Sequence, residues 1–353
     1  MTLRDRHLWL VVACGVALGA LGVLLAVLGN PENSGICVSC FMENVAGGLG
    51  LHDNSRMQYL RPELSGFVLG AFLSALFFRE FRTRGGSAPL SRLFAGILLM
   101  VGCGVFIGCP IKLLLRLGAG DLGALAGVAG LIAGVWVGTA GLARGAELPH
   151  GAPQPGASGI LIPAAALALL ALVVGRPGMI SFSTMGSGSQ HAPWAASLAG
   201  SVVLGALAQR SRFCITGGIR DLFVLRWRGY LFYGVLAFAL SAFAASVAAG
   251  RFHPGLAGQP GAHVEHLWSF LGMGLVGWTA TLVGGCPFRQ LVKAGEGDTD
   301  AGLLTVGMLL GGALVQSLGL GATTAGVPLA GKLAVLLGVA VLAGHGLGQS
   351  RTR

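Results

Sequence analysis

The sequence predicts an all-α polytopic membrane protein, with about ten transmembrane helices and four half-penetrating ones arranged as two inverted repeats. Three observations carry that prediction. Hydrophobic residues make up 54% of the chain and charged residues only 10%, with a mean hydropathy of +0.77, too little polar surface to clothe a water-soluble globule of 353 residues. Cysteines recur at one offset: Cys214 follows Cys37 by 177 residues and Cys286 follows Cys109 by the same 177, half the chain, as a duplication would leave them. Basic residues gather at the ends of apolar stretches and favour alternate turns.

Crossing about 30 Å of hydrocarbon takes roughly 20 apolar residues. Such stretches lie near 7–29, 63–81, 89–108, 120–143, 158–175, 193–209, 229–250, 265–284, 300–320 and 326–347. The first follows Arg4 and Arg6 as a signal peptide would. No small-residue cleavage site precedes Asn30-Pro31-Glu32, so it reads as a retained helix. The 61 glycines let helices approach closely in lipid, where hydrophobic driving force is absent. Four cysteine-bearing segments, near 35–50, 109–117, 212–226 and 286–294, are apolar but too short to span, and read as half-helices. Irregular backbone at membrane depth is tolerated only where protein buries it or it lines a polar cavity, so these segments are expected to converge on a pathway.

With a cytoplasmic N-terminus, the turns on that side hold Arg79, Arg82, Arg84, Arg92, Arg144, Arg210, Arg212, Arg226 and Arg228, and the C-terminus adds Arg351 and Arg353. The other side holds mainly Arg56, Arg61, Arg176 and Arg251. Positive charge inside therefore supports both termini being cytoplasmic. Each half carries five spans, an odd number, so the halves 1–176 and 177–353 enter the membrane in opposite senses and form one integrated transmembrane domain. The Gly/Ser-rich connector from Arg176 to Pro193, which holds His191, fits the boundary. On this topology Cys37 and Cys109 approach from outside, and Cys214 and Cys286 from the cytoplasm. The net charge of +10 belongs to span ends rather than to a soluble basic patch, which argues against nucleic acid.

Gly108-Cys109-Pro110-Ile111-Lys112 running to Leu117-Gly118-Ala119-Gly120-Asp121 realigns on Gly285-Cys286-Pro287-Phe288-Arg289 running to Ala294-Gly295-Glu296-Gly297-Asp298. Lys112 and Arg116 fall opposite Arg289 and Lys293, so each copy carries two basic residues at i and i+4 on one side of a short helix. Proline after each cysteine suits the first helical position and puts the cysteine near N-cap. There the free N–H groups and the helix dipole favour a thiolate and welcome an anion. Ser34-Gly35-Ile36-Cys37 aligns with Ser211-Arg212-Phe213-Cys214 on register alone.

Cys37, Cys109, Cys214 and Cys286 are accordingly the candidate substrate-binding thiols. Cys40, Lys112, Arg116, Arg212, Arg220, Arg289 and Lys293 are candidates for a supporting role. Free cysteine is also a small buried apolar residue; Cys14, at mid-helix with no basic neighbour in the sequence, and Cys103, with Ala280 at its repeat position, read as packing. Cys40 completes Cys-x-x-Cys with Cys37, but Gly217 stands at its repeat position. Glu43, Asp221, Glu296 and Asp298 are further ionisable groups in these segments, and for Asp121, Asp298 and the Arg220–Asp221 pair helix capping or end pairing competes with substrate contact. His263 and His266 flank Glu265 like a fragment of a metal site, though interfacial residues explain them more simply. No metal set, nucleotide loop, Ser-His-Asp arrangement or haem attachment is present in the sequence, so neither cofactor nor metal is expected, and ATP-driven transport would need a partner subunit.

The run Gln209-Arg210-Ser211-Arg212-Phe213-Cys214-Ile215-Thr216-Gly217-Gly218-Ile219-Arg220-Asp221, with Gly284-Gly285-Cys286-Pro287-Phe288-Arg289-Gln290, resembles the YeeE/YedE family of sulfur-compound transporters over essentially the whole chain. Asn33 to Leu51, both Gly-Cys-Pro motifs and Ala294-Gly295-Glu296-Gly297-Asp298-Thr299-Asp300-Ala301 look most like the YedE branch described as selenium transporters. The resemblance implies an hourglass-shaped inner-membrane protein that takes up thiosulfate and passes it between central cysteines. By motif match Cys37, Cys109 and Cys286 would be relay thiols and Cys214 the inner symmetry mate. Cys40 and the prolines after each Gly-Cys depart from the thiosulfate branch.

The expected function is therefore uptake of a small sulfur or selenium anion by a protein that is not an enzyme, with that anion and membrane lipid as partners. One alternative is a membrane sulfur or selenium transferase that forms a persulfide-type intermediate and hands it to a small cytoplasmic sulfur-carrier protein. Another is a redox sensor using Cys37 and Cys40.

Overall fold

A computed structural model of the chain describes residues 3–146, 148–149, 151–225 and 229–350. Among the arginines that set the expected topology, Arg226, Arg228, Arg351 and Arg353 lie outside the described residues. Ten long helices stand at the ten apolar stretches: α1 (Leu3–Val27), α3 (Pro62–Phe77), α4 (Pro89–Phe106), α6 (Ala124–Ala143), α7 (Gly156–Gly175), α8 (Trp194–Ser211), α10 (Tyr230–Ala248), α11 (His266–Leu282), α13 (Thr299–Ser317) and α14 (Leu329–Ser350). Four short helices stand at the cysteine segments: α2 (Val38–Gly48), α5 (Pro110–Gly118), α9 (Ile215–Val224) and α12 (Pro287–Gly295).

The only strands among the described residues are two-residue pieces, β1 (Arg84–Gly85) and β2 (Ala152–Pro153), paired antiparallel. Among the described residues, seven helical stretches are long and apolar enough to cross a membrane. Two of these, Pro89–Gly118 and His266–Gly295, run from a long helix through the Cys-Pro turn into a short one. The chain is an all-helical, multi-pass membrane protein.

Proline opens α3, α4, α5 and α12, where its fixed φ is already helical and its missing N–H goes unnoticed. The order of long and short helices in α1–α7 recurs in α8–α14. Contacts follow the same exchange. α1 lies on α10 and α8 on α3, α4 lies on α13 and α11 on α6, and α5 lies on α10 and α12 on α3. α7 and α14 break the pattern, α7 packing on α3 and α12, α14 on α4 and α11. Small residues make the crossings tight: a methyl group on Gly134 of α6 would collide with the carbonyl oxygen of Gly274 on α11.

Connections gather on two opposite faces. On one, Arg82 N–H donates to Glu296 O, Gly86 N–H to Asp300, and Arg210 pairs with Glu80. On the other, His253 N–H donates to Ala119 O, Asn54 to Gln316, and Arg61 to the Ser187 carbonyl. The first face carries Arg79, Arg82, Arg84, Arg92, Arg144, Arg210 and Arg212, the second Arg56, Arg61, Arg176 and Arg251. Helices α9 and α12 enter from the arginine-rich face, and α2 and α5 from the other.

Candidate functional site

All four register cysteines occupy the same local position, the N-cap of a short helix: Cys37 for α2, Cys109 for α5, Cys214 for α9 and Cys286 for α12. The turn before the second pair is built twice alike. Gly108 and Gly285 adopt φ of +157° and +159°, and Gly120 and Gly297, which close the short helices, both adopt +96°. A Cβ on Gly108 would strike the Lys112 stem and one on Gly285 the Arg289 stem, so glycine lets the basic side chain fold back over the turn.

The cysteines meet in two groups. From one face come Cys37 and Cys109, with their sulfurs 3.9 Å apart, and Cys40, whose sulfur lies 2.8 Å from that of Cys37. From the arginine-rich face come Cys214 and Cys286. The Cys214 sulfur accepts the Gly217 N–H at 3.3 Å and the Cys286 N–H at 3.5 Å, and the Thr216 hydroxyl lies 3.2 Å away. Cys103, read from the sequence as packing, is buried on α4 beside Ser39 and so borders the first group. Cys14 is fully buried on α1.

Each group lies at a cavity. A cavity of about 640 Å³ is lined by Cys40, Glu43, Lys112, Arg56, Glu32 and Gln316, with Ser187, Gln190 and Gly261 among the rest. Cys37 and Cys109 lie buried behind Cys40. On the opposite face a cavity of about 210 Å³ is lined by Cys214, Thr216, Arg212, Arg220, Arg289 and Gly285, with Cys286 buried behind Cys214. It adjoins one of about 380 Å³ through Arg220, which also holds Arg84, Arg92, Lys293 and Asp298.

The supporting basic residues divide by partner. Arg116 donates to Asp121 at 2.6 Å and to the Phe106 carbonyl at 3.0 Å, stacks on the Phe106 ring, and lines neither cavity. Its register mate Lys293 pairs with Asp298 at 3.4 Å. Both aspartates also cap the following long helix, Asp121 through the Ala124 N–H and Asp298 through the Ala301 N–H, so each pair fastens a short helix to the next long one. Arg289 pairs with Glu296 at 3.0 Å, and the more exposed Arg212 with Glu296 at 2.7 Å and Glu80 at 2.9 Å. Lys112 and Arg220 are the exceptions. Lys112 is 3% exposed and Arg220 half-buried, and among the described residues neither side chain makes a hydrogen bond or ion pair. Ala119 stands where the second half has Glu296.

The sequence reading did not single out a buried network that braces the Cys40 face. Arg61, 2% exposed, donates to Asn44, Asn30 and the Ser187 carbonyl, while Asn30 and Ser197 both donate to Glu63. The only signal was an Arg-Pro-Glu triplet at the start of an apolar run. His191 stacks on Tyr59 with ring centroids 4.5 Å apart. His263 donates to the Val105 carbonyl while its other ring nitrogen accepts the Glu265 N–H, and burial pushes its imidazole below the usual value. Glu265 bonds the Val327 N–H and pairs with Lys332. Among the described residues no group of three or more His, Cys, Asp or Glu side chains is placed to hold a metal.

Fold and site together define a multi-pass helical membrane protein with cysteines at the tips of broken helices reached from both faces. Residues 210–339, from the end of α8 into α14, match the Sulf_transp family, whose description is sulphur transport. No curated protein matches the chain.

Proposed function

We propose that this chain is a member of the sulphur-transport family and carries a small sulfur- or selenium-containing anion, thiosulfate-like in size and charge, across the cell inner membrane past its cysteine thiols. The observation that carries the reading is the pair of cavities on opposite faces, one ending on N-cap Cys214 and the other on Cys40 with N-cap Cys37 and Cys109 buried behind it, each with basic residues beside it. An anion entering the Cys214 cavity meets N–H groups at a helix start and arginine side chains, and one entering the Cys40 cavity meets Lys112, which lower the desolvation barrier without changing the substrate. Cys40, Cys37 and Cys109 would contact it first, then Cys286 and Cys214. In this reading the halves 1–176 and 177–353 are inverted repeats, the arginine-rich face is cytoplasmic, both termini lie there, and the Cys40 cavity opens outward. The exchange symmetry of the helix contacts supports the repeat, and the arginine distribution supports the orientation.

The contact of Cys37 with Cys40 supports a second reading, in which the protein is a sulfur or selenium transferase. A cysteine thiolate would attack the outer sulfur of thiosulfate, breaking the S–S bond and releasing sulfite with its electron pair. The resulting persulfide would pass that sulfur to the thiolate of a cytoplasmic carrier protein and regenerate the cysteine thiolate. Thiosulfate labelled in the outer sulfur separates the two in sealed vesicles. Transport delivers intact labelled thiosulfate to the lumen, and transfer leaves the label on protein thiols with unlabelled sulfite released.

A further inference from the structure

Lys112 and Glu43 face the same outer cavity, and they are an odd couple for a site that receives an anion. Glu43 is 7% exposed; its Oε2 is held by the Gln316 amide of α13, while its Oε1 takes no hydrogen bond among the described residues and is not sealed from the cavity. Cys40 and Glu43 stand three residues apart on one side of α2, so a ligand at Cys40 lies alongside the carboxyl group.

The charges around Glu43 are few. Cys37 and Cys40 approach from its own helix, the buried His52 ring meets its carbonyl oxygen from the loop after α2, Lys112 and Cys109 come from α5, and uncharged Gln316 from α13. Across the cavity, Arg56 is exposed, and Glu32 lies toward the rim, 3.9 Å from Arg251. Deep in the cavity one cation therefore faces one carboxylate. The opposite cavity differs: Arg220 occupies the register position of Glu43, and together with Arg212 and Arg289 it outweighs Glu296. An anion arriving there meets net positive charge. An anion arriving outside meets a lysine whose field an ionised Glu43 cancels.

Resting on the transport reading above, we propose that Glu43 is a proton-binding site linked to the anion site at Lys112 and Cys40, so that each anion is loaded from outside together with a proton. Protonating Glu43 leaves Lys112 as the dominant charge and admits the anion. By reciprocity, a bound anion favours protonation of Glu43. The proton leaves Glu43 for the water of the outer cavity when the anion moves on, so an acidic outside favours loading of the anion.

The test is isothermal titration of the purified full-length protein in detergent with thiosulfate, at several pH values and in two buffers of different ionisation enthalpy. The proposal expects uptake of about one proton per anion bound, and affinity that rises by up to about tenfold for each pH unit of acidification. Glu43→Gln is expected to bind without proton uptake and with no pH dependence. Should that variant fail to fold, Glu43→Asp decides, because retracting the carboxyl from Gln316 moves the pH midpoint of binding if this carboxyl is the linked site and leaves it unmoved otherwise. Wild-type binding without proton uptake, proton uptake that survives in Glu43→Gln, or an unmoved midpoint in Glu43→Asp would overturn the proposal while leaving anion transport standing. Absence of thiosulfate binding at every pH would overturn the anion reading itself, and this proposal with it.

Discussion

Replacing Lys112 with methionine isolates the charge of the Cys40 cavity from its shape. The lysine stem folds over Gly108, and methionine keeps most of that packing while removing the ammonium. A hydrogen bond to a charged group contributes about 1.5–3 kcal/mol. At about 1.4 kcal/mol per factor of ten, loss of the ammonium should weaken anion binding roughly 10- to 150-fold. Stability should move the other way or not at all, because Lys112 has no carboxylate bonded to it among the described residues and its burial costs solvation without return. Its register mate gives the contrast. Arg289→Met strands Glu296 with Arg212 as its remaining basic partner and should lower the melting temperature. The assay is initial uptake of labelled thiosulfate into proteoliposomes over a range of concentrations, with thermal unfolding of the same preparations. A wild-type KM in Lys112→Met, or a large drop in its melting temperature, would refute the assignment of Lys112 as an anion-binding cation.

Cys109→Ser and Cys286→Ser should each abolish uptake, whereas Cys14→Ser, buried on α1 beside Ser211 and lining neither cavity, should leave it intact; equal behaviour of all three would show that the N-cap position is irrelevant. Diamide, by taking two electrons and two protons from the Cys37–Cys40 pair, should form a disulfide that mass spectrometry detects and that blocks uptake until dithiothreitol restores it, and Cys40→Ser should be insensitive. Near the Cys40 face, the Lys332 ammonium and then the Val327 N–H hold the Glu265 carboxyl below the usual carboxylate range. The stability this contributes is present above the unfolded value of about 4.3 and is lost as pH falls through the folded one. With both side chains about a third exposed it amounts to less than about 1 kcal/mol. Melting curves between neutral pH and pH values near 3 should therefore show a small acid-dependent loss that Glu265→Gln lacks; an unchanged loss would place the titrating group elsewhere.

Helix positions were legible because apolar length and proline placement are local. All ten long stretches and all four short ones are helices, and the differences sit at ends where a side chain intervenes. The stretch expected over 120–143 begins at Ala124 because Asp121 turns back to cap it, and that expected over 63–81 stops at Phe77, before Arg79 takes positive φ. The N-cap position of Cys109 and Cys286 followed from the proline after each. Charge partners were not legible, since they join distant parts of the chain: Glu296 draws in Arg212 across 84 residues, and Gln316 reaches Glu43 across 273. The sequence set Lys112 and Arg116 side by side as equivalent basic residues. Only the folded chain separates them, with Arg116 tied to Asp121 and Lys112 left facing a cavity.

Transport through the cysteine path is tested most directly by uptake of radiolabelled thiosulfate and selenite, side by side, into sealed vesicles holding the purified protein, with Cys286→Ser vesicles as control. The account predicts accumulation of at least one of the two anions, unaltered in the lumen, and its loss in the Cys286→Ser vesicles. Accumulation that persists without Cys286, or none above protein-free vesicles, would contradict it.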